Sequence, residues 1–493
     1  MYLEIKKFSQ HTALYTIGNL IYRGASFLLV PLYVHRLAPA EYGTLELIYV
    51  TAFIVQTAFS GGIAHSALRF YFEYDRPEDK NSLISTTLIG SFFFTLIGAI
   101  LMCLFAPSLS GWLLGTQAYA LAFRLVAVSM VVELSREISL AYVRAKERPG
   151  FFIVVSVVQL VVQVAANVYT VVYLHLGIIG VVVGNLVTNL VVWIVLTSYT
   201  TRECGWRFQA RHLWPVVKYA YPLLVSALSS SVFQSMNRYF LNAYKGLEET
   251  GMFALALRIG TVVPVLLVIP FTNGYGPFRF SVMKQSNARQ VYARVLTYYA
   301  LASTFLVLGI SAVSRELLRL ISSPEYMPAY KIVPLVLIPG ALSGITYCLQ
   351  TGIYIEKKTS QILVISVASG AVNLGLLYLL VPRWGMFGAA LAGLLAALYT
   401  VTHTYLVSQK IYPVKYEFGR VVKIYLLAIV IGALGIHLQI ESLWQGLLLK
   451  VFLVALYPAL LVLLRAYTAD EQSKVREFWV KASGRFQSKA ATL

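Results

Sequence analysis

Acidic residues are scarce in this chain: 21 Asp and Glu stand against 40 Lys and Arg in 493 residues, and charged residues of both signs make up only 12%. Soluble domains carry about a quarter charged residues, so a surface facing water on all sides is excluded. Cysteine is scarcer still. Cys103, Cys204 and Cys348 lie far apart, with no CxxC and no His-rich spacing, which excludes a disulfide framework and a zinc site. No glycine-rich phosphate loop of the Walker type is present, so ATP is not a direct energy source. Nor is there a long loop rich in carboxylates or histidines. The largest loop on the outer side, near 314–330, carries only Glu316 and Glu325, which argues against catalysis.

What fills the chain instead is apolar sequence: 58% of residues are hydrophobic and the mean hydropathy is +0.71. A membrane span needs about 20 mostly apolar residues. Runs of that kind fall near 12–34, 44–64, 83–106, 118–140, 151–174, 178–199, 216–240, 250–273, 291–313, 331–354, 361–381, 385–408, 422–440 and 443–464, predicting fourteen spans. Lys6 and Lys7 precede the first run, which is too long for a signal-peptide core and lacks a small-residue cleavage pattern, so it is expected to remain as span 1. The predicted class is an all-α polytopic membrane protein.

The net charge of +19 also fits a nucleic-acid binder, but its location does not. Most of it lies in short loops, including Arg144, Lys146, Arg148, Arg202, Arg207, Arg211, Lys357 and Lys358, on the side that also holds the N-terminus. The opposite loops hold only Arg36, Lys245, Arg315, Arg319, Lys331 and Arg383. The positive-inside rule then places both termini in the cytoplasm. Lys450, inside span 14, is expected to reach the interface along its own stem.

Sliding the chain against itself by 208 residues superposes Glu41-Tyr42-Gly43 on Glu249-Thr250-Gly251, and Leu176-Gly177-Ile178-Ile179-Gly180 on Trp384-Gly385-Met386-Phe387-Gly388. Arg69-Phe70 matches Arg279-Phe280 at a slightly different shift. A repeat of six spans is even, so both halves enter the membrane in the same direction, with a passenger site expected between them. The predicted divisions are 1–200 and 201–411 for the two six-helix bundles, 412–465 for two additional spans and 466–493 for a basic cytoplasmic tail.

Charges inside the spans are the sharpest functional signal. An arginine at the centre of a bilayer helix costs roughly 2.5–3.5 kcal/mol on insertion scales and usually faces a water-filled cavity or a partner. Arg23 sits near the middle of span 1 and shares one helical face with Thr12, Thr16, Asn19 and Ser26, flanked by Tyr15 and Tyr22. Span 7 repeats the pattern with Ser226, Ser230, Gln234 and Asn237, next to Arg238, and Arg258 lies in span 8. Together these residues predict a cationic, hydroxyl-binding cavity for an anionic passenger. Stripes on span 5 (Ser156, Gln159, Gln163, Asn167, Thr170) and span 11 (Ser366, Ser369, Asn373) read better as hydrogen bonding between packed helices. Arg124 lies near a span end and is expected at the interface. The spacing of Glu133, Arg136 and Glu137 permits a local ion pair. Glu133 and Glu46 are the acids placed to couple transport to an ion. Pro264, Pro270, Pro334 and Pro339, within spans 8 and 10, are expected to kink those helices.

The chain resembles the oligosaccharide flippases of the bacterial polysaccharide biosynthesis group, in the superfamily that also holds multidrug exporters and the lipid II flippase. The resemblance rests on Lys6-Lys7, Pro31-Leu32-Tyr33 closing span 1, Glu41-Tyr42-Gly43, Gly251-Met252-Phe253-Ala254 opening span 8, and the paired Gly177/Gly180 and Gly385/Gly388 turns. It implies two six-helix bundles in a V-shaped arrangement that exposes a central cavity to each side in turn. It also implies an undecaprenyl-pyrophosphate-linked oligosaccharide as passenger, with Arg23 and Arg258, and then Arg238, in cavity positions. The expected setting is the bacterial cytoplasmic membrane, with no cofactor and with coupling to an H+ or Na+ gradient or to the membrane potential. Membrane lipids, a glycan polymerase and other polysaccharide assembly proteins are the expected partners. The alternatives are a multidrug antiporter of the same superfamily, which would want an acidic cavity, and a polymerase or ligase of the same pathway.

Overall fold

A computed structural model describes residues 27–60, 62–438 and 442–464, with positions 18, 21, 24, 440, 466, 467 and 471; of Ser226, Ile436 and His437 only the backbone is described. Arg23, Asn19, Tyr22 and Ser26, like nearly all of the tail, lie outside the described residues.

The described residues form helices and no strands. In order these are α1 (Val30–Arg36), α2 (Pro39–Ser60), α3 (Ile63–Glu73), α4 (Pro77–Leu104), α5 (Ala106–Leu114), α6 (Ala120–Ala145), α7 (Pro149–Asn167), α8 (Gly177–Cys204), α9 (Ala210–Lys245), α10 (Leu247–Gly260), α11 (Ile269–Val282), α12 (Ala288–Ala312), α13 (Ser314–Ile321), α14 (Val333–Leu349), α15 (Thr351–Ile355), α16 (Ser360–Ile411), α17 (Phe418–His437) and α18 (Leu443–Leu463). Backbone groups have no water partner in hydrocarbon, and a helix satisfies them within itself, so long apolar runs become helices.

Ten helices among the described residues are long and apolar enough to cross a membrane, or eleven if Pro324–Lys331 and Val333–Leu349, bent by 51°, count as one span. The sequence-based figure of fourteen differs for physical reasons. Most of span 1 lies outside the described residues, its closing turns being seen as α1. Predicted span 4 is helix α6, whose centre carries Glu133, Arg136 and Glu137 and is therefore less apolar. Predicted spans 11 and 12 run together in α16, which breaks only at Gly385 (φ 53°, ψ −132°).

The described residues pack as two compact units. The first takes those within 1–255, 321–328 and 374–389, and the second those within 256–320, 329–373 and 390–493. In the first, α4, α6 and α3 gather around Leu83, Ile84, Leu134, Ile138 and Tyr142. In the second, α12 packs on α14 through Tyr292, Leu296, Tyr299, Ile345 and Leu349, while α17 and α18 close on α12 through Leu308, Ile431 and Tyr457. Large apolar side chains such as Phe93, Leu104, Ile429 and Phe452 remain exposed, which suits an acyl-chain solvent. Trp112, Trp206, Trp214 and Trp444 are exposed near helix ends, and Trp384 beside the Gly385 break of α16, as aromatic belts require.

The internal repeat has a physical counterpart inside the first unit. A Cβ on Gly43 would strike the carbonyl oxygen of Leu247, and a Cβ on Gly251 would strike that of Pro39. Both pairs are related by 208 positions (251 − 43 and 247 − 39), so the starts of α2 and α10 cross in a reciprocal contact that only glycine permits. Gly177 and Gly385, also 208 apart, share the left-handed φ of 54° and 53°.

The prolines divide. Pro264 opens a π-helical turn, Pro264–Val268, between α10 and α11, and so loosens span 8 as expected. Pro334 instead sits in the first turn of α14, where a missing N–H costs nothing.

Candidate functional site

Within the first unit, polar side chains from five helices meet. Asn185 and Asn189, one turn apart on α8, anchor two chains of hydrogen bonds. Along one, the Tyr33 hydroxyl donates to Asn167 Oδ1 (2.9 Å), Asn167 Nδ2 donates to Asn185 Oδ1 (3.3 Å), and Asn185 Nδ2 donates to the Tyr49 hydroxyl (2.6 Å). Gly184 leaves the room that Asn167 occupies, since a Cβ there would lie 2.8 Å from its side chain. Along the other, Arg136 Nη1 donates to Asn189 Oδ1 (2.9 Å) and Asn189 Nδ2 donates to Ser129 Oγ (2.7 Å). Arg136 Nη2 lies 3.2 Å from Glu133 Oε1, the local pair that the spacing permitted. The span 5 stripe thus holds helices together through Asn167 and Gln163, whose Nε2 donates to Asn185 Oδ1 at 3.4 Å. In the second unit, Ser369 on α16 meets Thr400 at 2.5 Å.

The cavity candidates of the first unit come together differently from the sequence pattern. Arg238 on α9 reaches Glu46 on α2, with Nε 2.7 Å from Oε1 and both side chains about one-fifth exposed. Its backbone N–H donates to Asn237 Oδ1 (3.0 Å), and its Nη1 donates to the Gln234 carbonyl (3.4 Å). A residue expected to present positive charge and one expected to bind an ion therefore neutralise each other. The adjacent Tyr239 hydroxyl meets Thr51 Oγ1 at 2.8 Å. Sequence reading missed the pair because its members lie 192 residues apart (238 − 46).

Glu249, at the start of α10, accepts a hydrogen bond from the Met386 N–H (2.7 Å) directly after the Gly385 break. Its repeat counterpart Glu41 instead caps its own turn, accepting from the Ala38 N–H (2.9 Å).

In the second unit, Arg258 is half-buried near the end of α10, and its carbonyl accepts from the Thr261 hydroxyl at 2.6 Å. Three further charges lie in settings that the sequence pattern does not show. Lys450 does not rise to the interface: it is 1% exposed, with Nζ 2.8 and 3.0 Å from the two carboxylate oxygens of Glu316, itself 1% exposed. Glu316 accordingly lies on the buried face of helix α13, with Ser314 and Leu318, and not in an open loop. Arg279, noticed in the sequence only as a repeat match, is 4% exposed and carries aromatic rings on several sides.

Long helices studded with buried, paired charges, broken by glycine and a π-turn, define the class: a polytopic helical protein with a transporter fold. Solved structures share that fold. The lipid II flippase MurJ in its inward closed conformation matches with a TM-score of 0.76 at 15% identity, covering 91% of this chain and 98% of that one. An inward-facing multidrug resistance transporter of the MATE family matches with a TM-score of 0.61 at 12% identity, covering 80% and 95%. The Vibrio cholerae MATE transporter VcmN in its bent form gives 0.53 at 16%, covering 82% and 96%. No curated protein matches the chain in sequence. Residues 8–283 match the polysaccharide biosynthesis protein family, and the chain belongs to it.

Proposed function

We propose that this protein is a flippase that carries a lipid-linked saccharide across the bacterial cytoplasmic membrane for surface polysaccharide assembly, by alternating access. The observation that carries the reading is the coincidence of membership in the polysaccharide biosynthesis family with a fold shared, over nearly the whole chain, with a lipid II flippase. A saccharide on a polyprenyl diphosphate has a head that hydrocarbon excludes. Moving it requires cationic groups for the diphosphate and hydroxyl-bonding groups for the sugar. Arginine suits the first task because it stays charged and grips phosphate oxygens in a planar fork. Arg23 and Arg258 are proposed to hold the diphosphate, and Asn19, Tyr22, Ser26, Gln234 and Asn237 the sugar. The Glu46–Arg238 pair supports a gating role, since an incoming anion competes with Glu46 for the guanidinium.

The multidrug-antiporter reading shares the fold, but Glu46 is matched by Arg238, and an unpaired acid is what a cationic drug would need. Deleting the gene and analysing membrane lipids tests the proposal. A lipid-linked glycan is expected to accumulate on the cytoplasmic leaflet while the surface polymer disappears. Unchanged surface polymer with no accumulated lipid would sink it.

A further inference from the structure

Arg279 is a buried charge of the second unit, 4% exposed, with two of its three nitrogens unpartnered. Its guanidinium carbon lies 4.0 Å from the ring centre of Tyr354, 4.5 Å from that of Tyr347, 5.3 Å from that of Phe280 and 6.0 Å from that of Tyr275. Nη2 donates to the Tyr347 hydroxyl at 2.7 Å. Nε and Nη1 are sealed from solvent and have no hydrogen-bond partner, and no carboxylate among the described residues pairs with this arginine.

The balance of terms is unfavourable for a merely structural role. Removing an unpaired ion from water costs several kcal/mol even after relaxation, and each orphaned donor adds about 1–3 kcal/mol. A ring face returns about 0.5–2 kcal/mol. Stacked rings hold the guanidinium flat and leave Nε and Nη1, N–H groups of the kind that grip phosphate oxygens, buried without a partner, so a ligand reaches them only when the packing around them opens. The surroundings favour the same ligand. Arg279 lies three residues before the end of α11, and Tyr354 lies at the end of α15; the exposed Lys284, Lys357 and Lys358 follow these two helix ends and outnumber the exposed Glu356 that caps α15. In the first unit Arg69, the repeat match of Arg279, likewise stacks over a tyrosine, with Tyr219 at 4.3 Å, but it is exposed. The second half has buried what the first half leaves at the surface.

We propose that Arg279 and its aromatic cage form a receptor for a phosphate or diphosphate group at the lysine-rich end of the second unit. The proposal rests on the transport reading above and names a place where the passenger's diphosphate is held apart from Arg23 and Arg258. Free pyrophosphate and a lipid headgroup share the recognised chemistry.

Thermal unfolding of the purified full-length protein in detergent, with and without polyprenyl diphosphate, inorganic pyrophosphate or phosphatidylglycerol, tests it. The parent is expected to be stabilised by polyprenyl diphosphate. A response to pyrophosphate as well assigns the site to the bare anion, and a response to polyprenyl diphosphate alone assigns it to the diphosphate headgroup with its chain. Arg279→Met is expected to leave the unliganded midpoint equal or higher, because an uncompensated buried charge has gone, and to weaken apparent diphosphate affinity about tenfold or more. Arg279→Lys and Tyr354→Leu are expected to weaken it less while folding like the parent. The site is overturned if Arg279→Met melts lower yet keeps the parent's diphosphate response, if all three variants respond like the parent, or if the parent answers only to phosphatidylglycerol. Lipid analysis of deletion cells judges the transport reading separately: accumulated lipid-linked glycan with an unresponsive Arg279 removes the site and leaves the transporter.

Discussion

Among individual residues, the charges sort by whether they have a partner. Lys450 and Glu316 are both almost fully buried, with a bidentate contact of 2.8 and 3.0 Å. Such a pair contributes less than its geometry implies, because desolvation offsets attraction, whereas removing one member strands the other. Lys450→Met or Glu316→Leu alone is therefore expected to destabilise by roughly 3–5 kcal/mol, and the double variant Lys450→Met/Glu316→Leu to regain most of that loss. Unfolding midpoints of the four proteins form the cycle; a double variant as unstable as the sum of the singles would show that the pair is not the unit that matters. This contact could not be read from the sequence. Lys450 looked like a snorkelling lysine, and Glu316 like a loop acid, because an ion pair 134 residues apart leaves no local pattern. The Glu133–Arg136 pair was legible because a step of three on one helix is itself a contact. Glu46 and Arg238 were each noticed, but not as partners.

At the level of the helices, glycine does the shaping. The crossing of α2 and α10 brings backbone to backbone at Gly43 and Gly251, where a methyl group on either side would overlap a carbonyl oxygen of the other helix. Gly43→Ala and Gly251→Ala are expected to cost similar amounts, about 1–3 kcal/mol each as overpacking, and to reduce export by similar factors, because the contact is reciprocal. Surface polymer measured at matched protein level checks this; full export by both variants would mean that the crossing opens or shifts without cost. The repeat that located these glycines was visible as two short matches at one shift, and the structure adds the reason for them: one match is a close approach, the other a left-handed turn. The proline pattern was only half legible. Pro264 falls where an interior N–H is lost, and Pro334 where none was needed.

For the whole molecule, composition and periodicity were enough for the class. A chain with 12% charged residues and apolar runs of span length has few other ways to satisfy its backbone. The number of spans was harder to read, because α16 passes through Gly385 without a polar loop and α6 carries its charges at mid-helix. The binding chemistry was the hardest, since Arg279 advertises itself only through rings contributed by another stretch of chain, Tyr347 and Tyr354, apart from its neighbour Phe280 and Tyr275 one turn before it.

The central claim is that this protein alone moves a lipid-linked saccharide between leaflets. The direct measurement incorporates the lipid accumulated by deletion cells into vesicles with and without the purified protein, then follows oxidation of its sugar by membrane-impermeant periodate added outside. With the protein, oxidation is expected to proceed past the outer-leaflet fraction towards completion. Oxidation that halts at the same fraction in both vesicle populations, with intact protein in the membrane, would contradict the account.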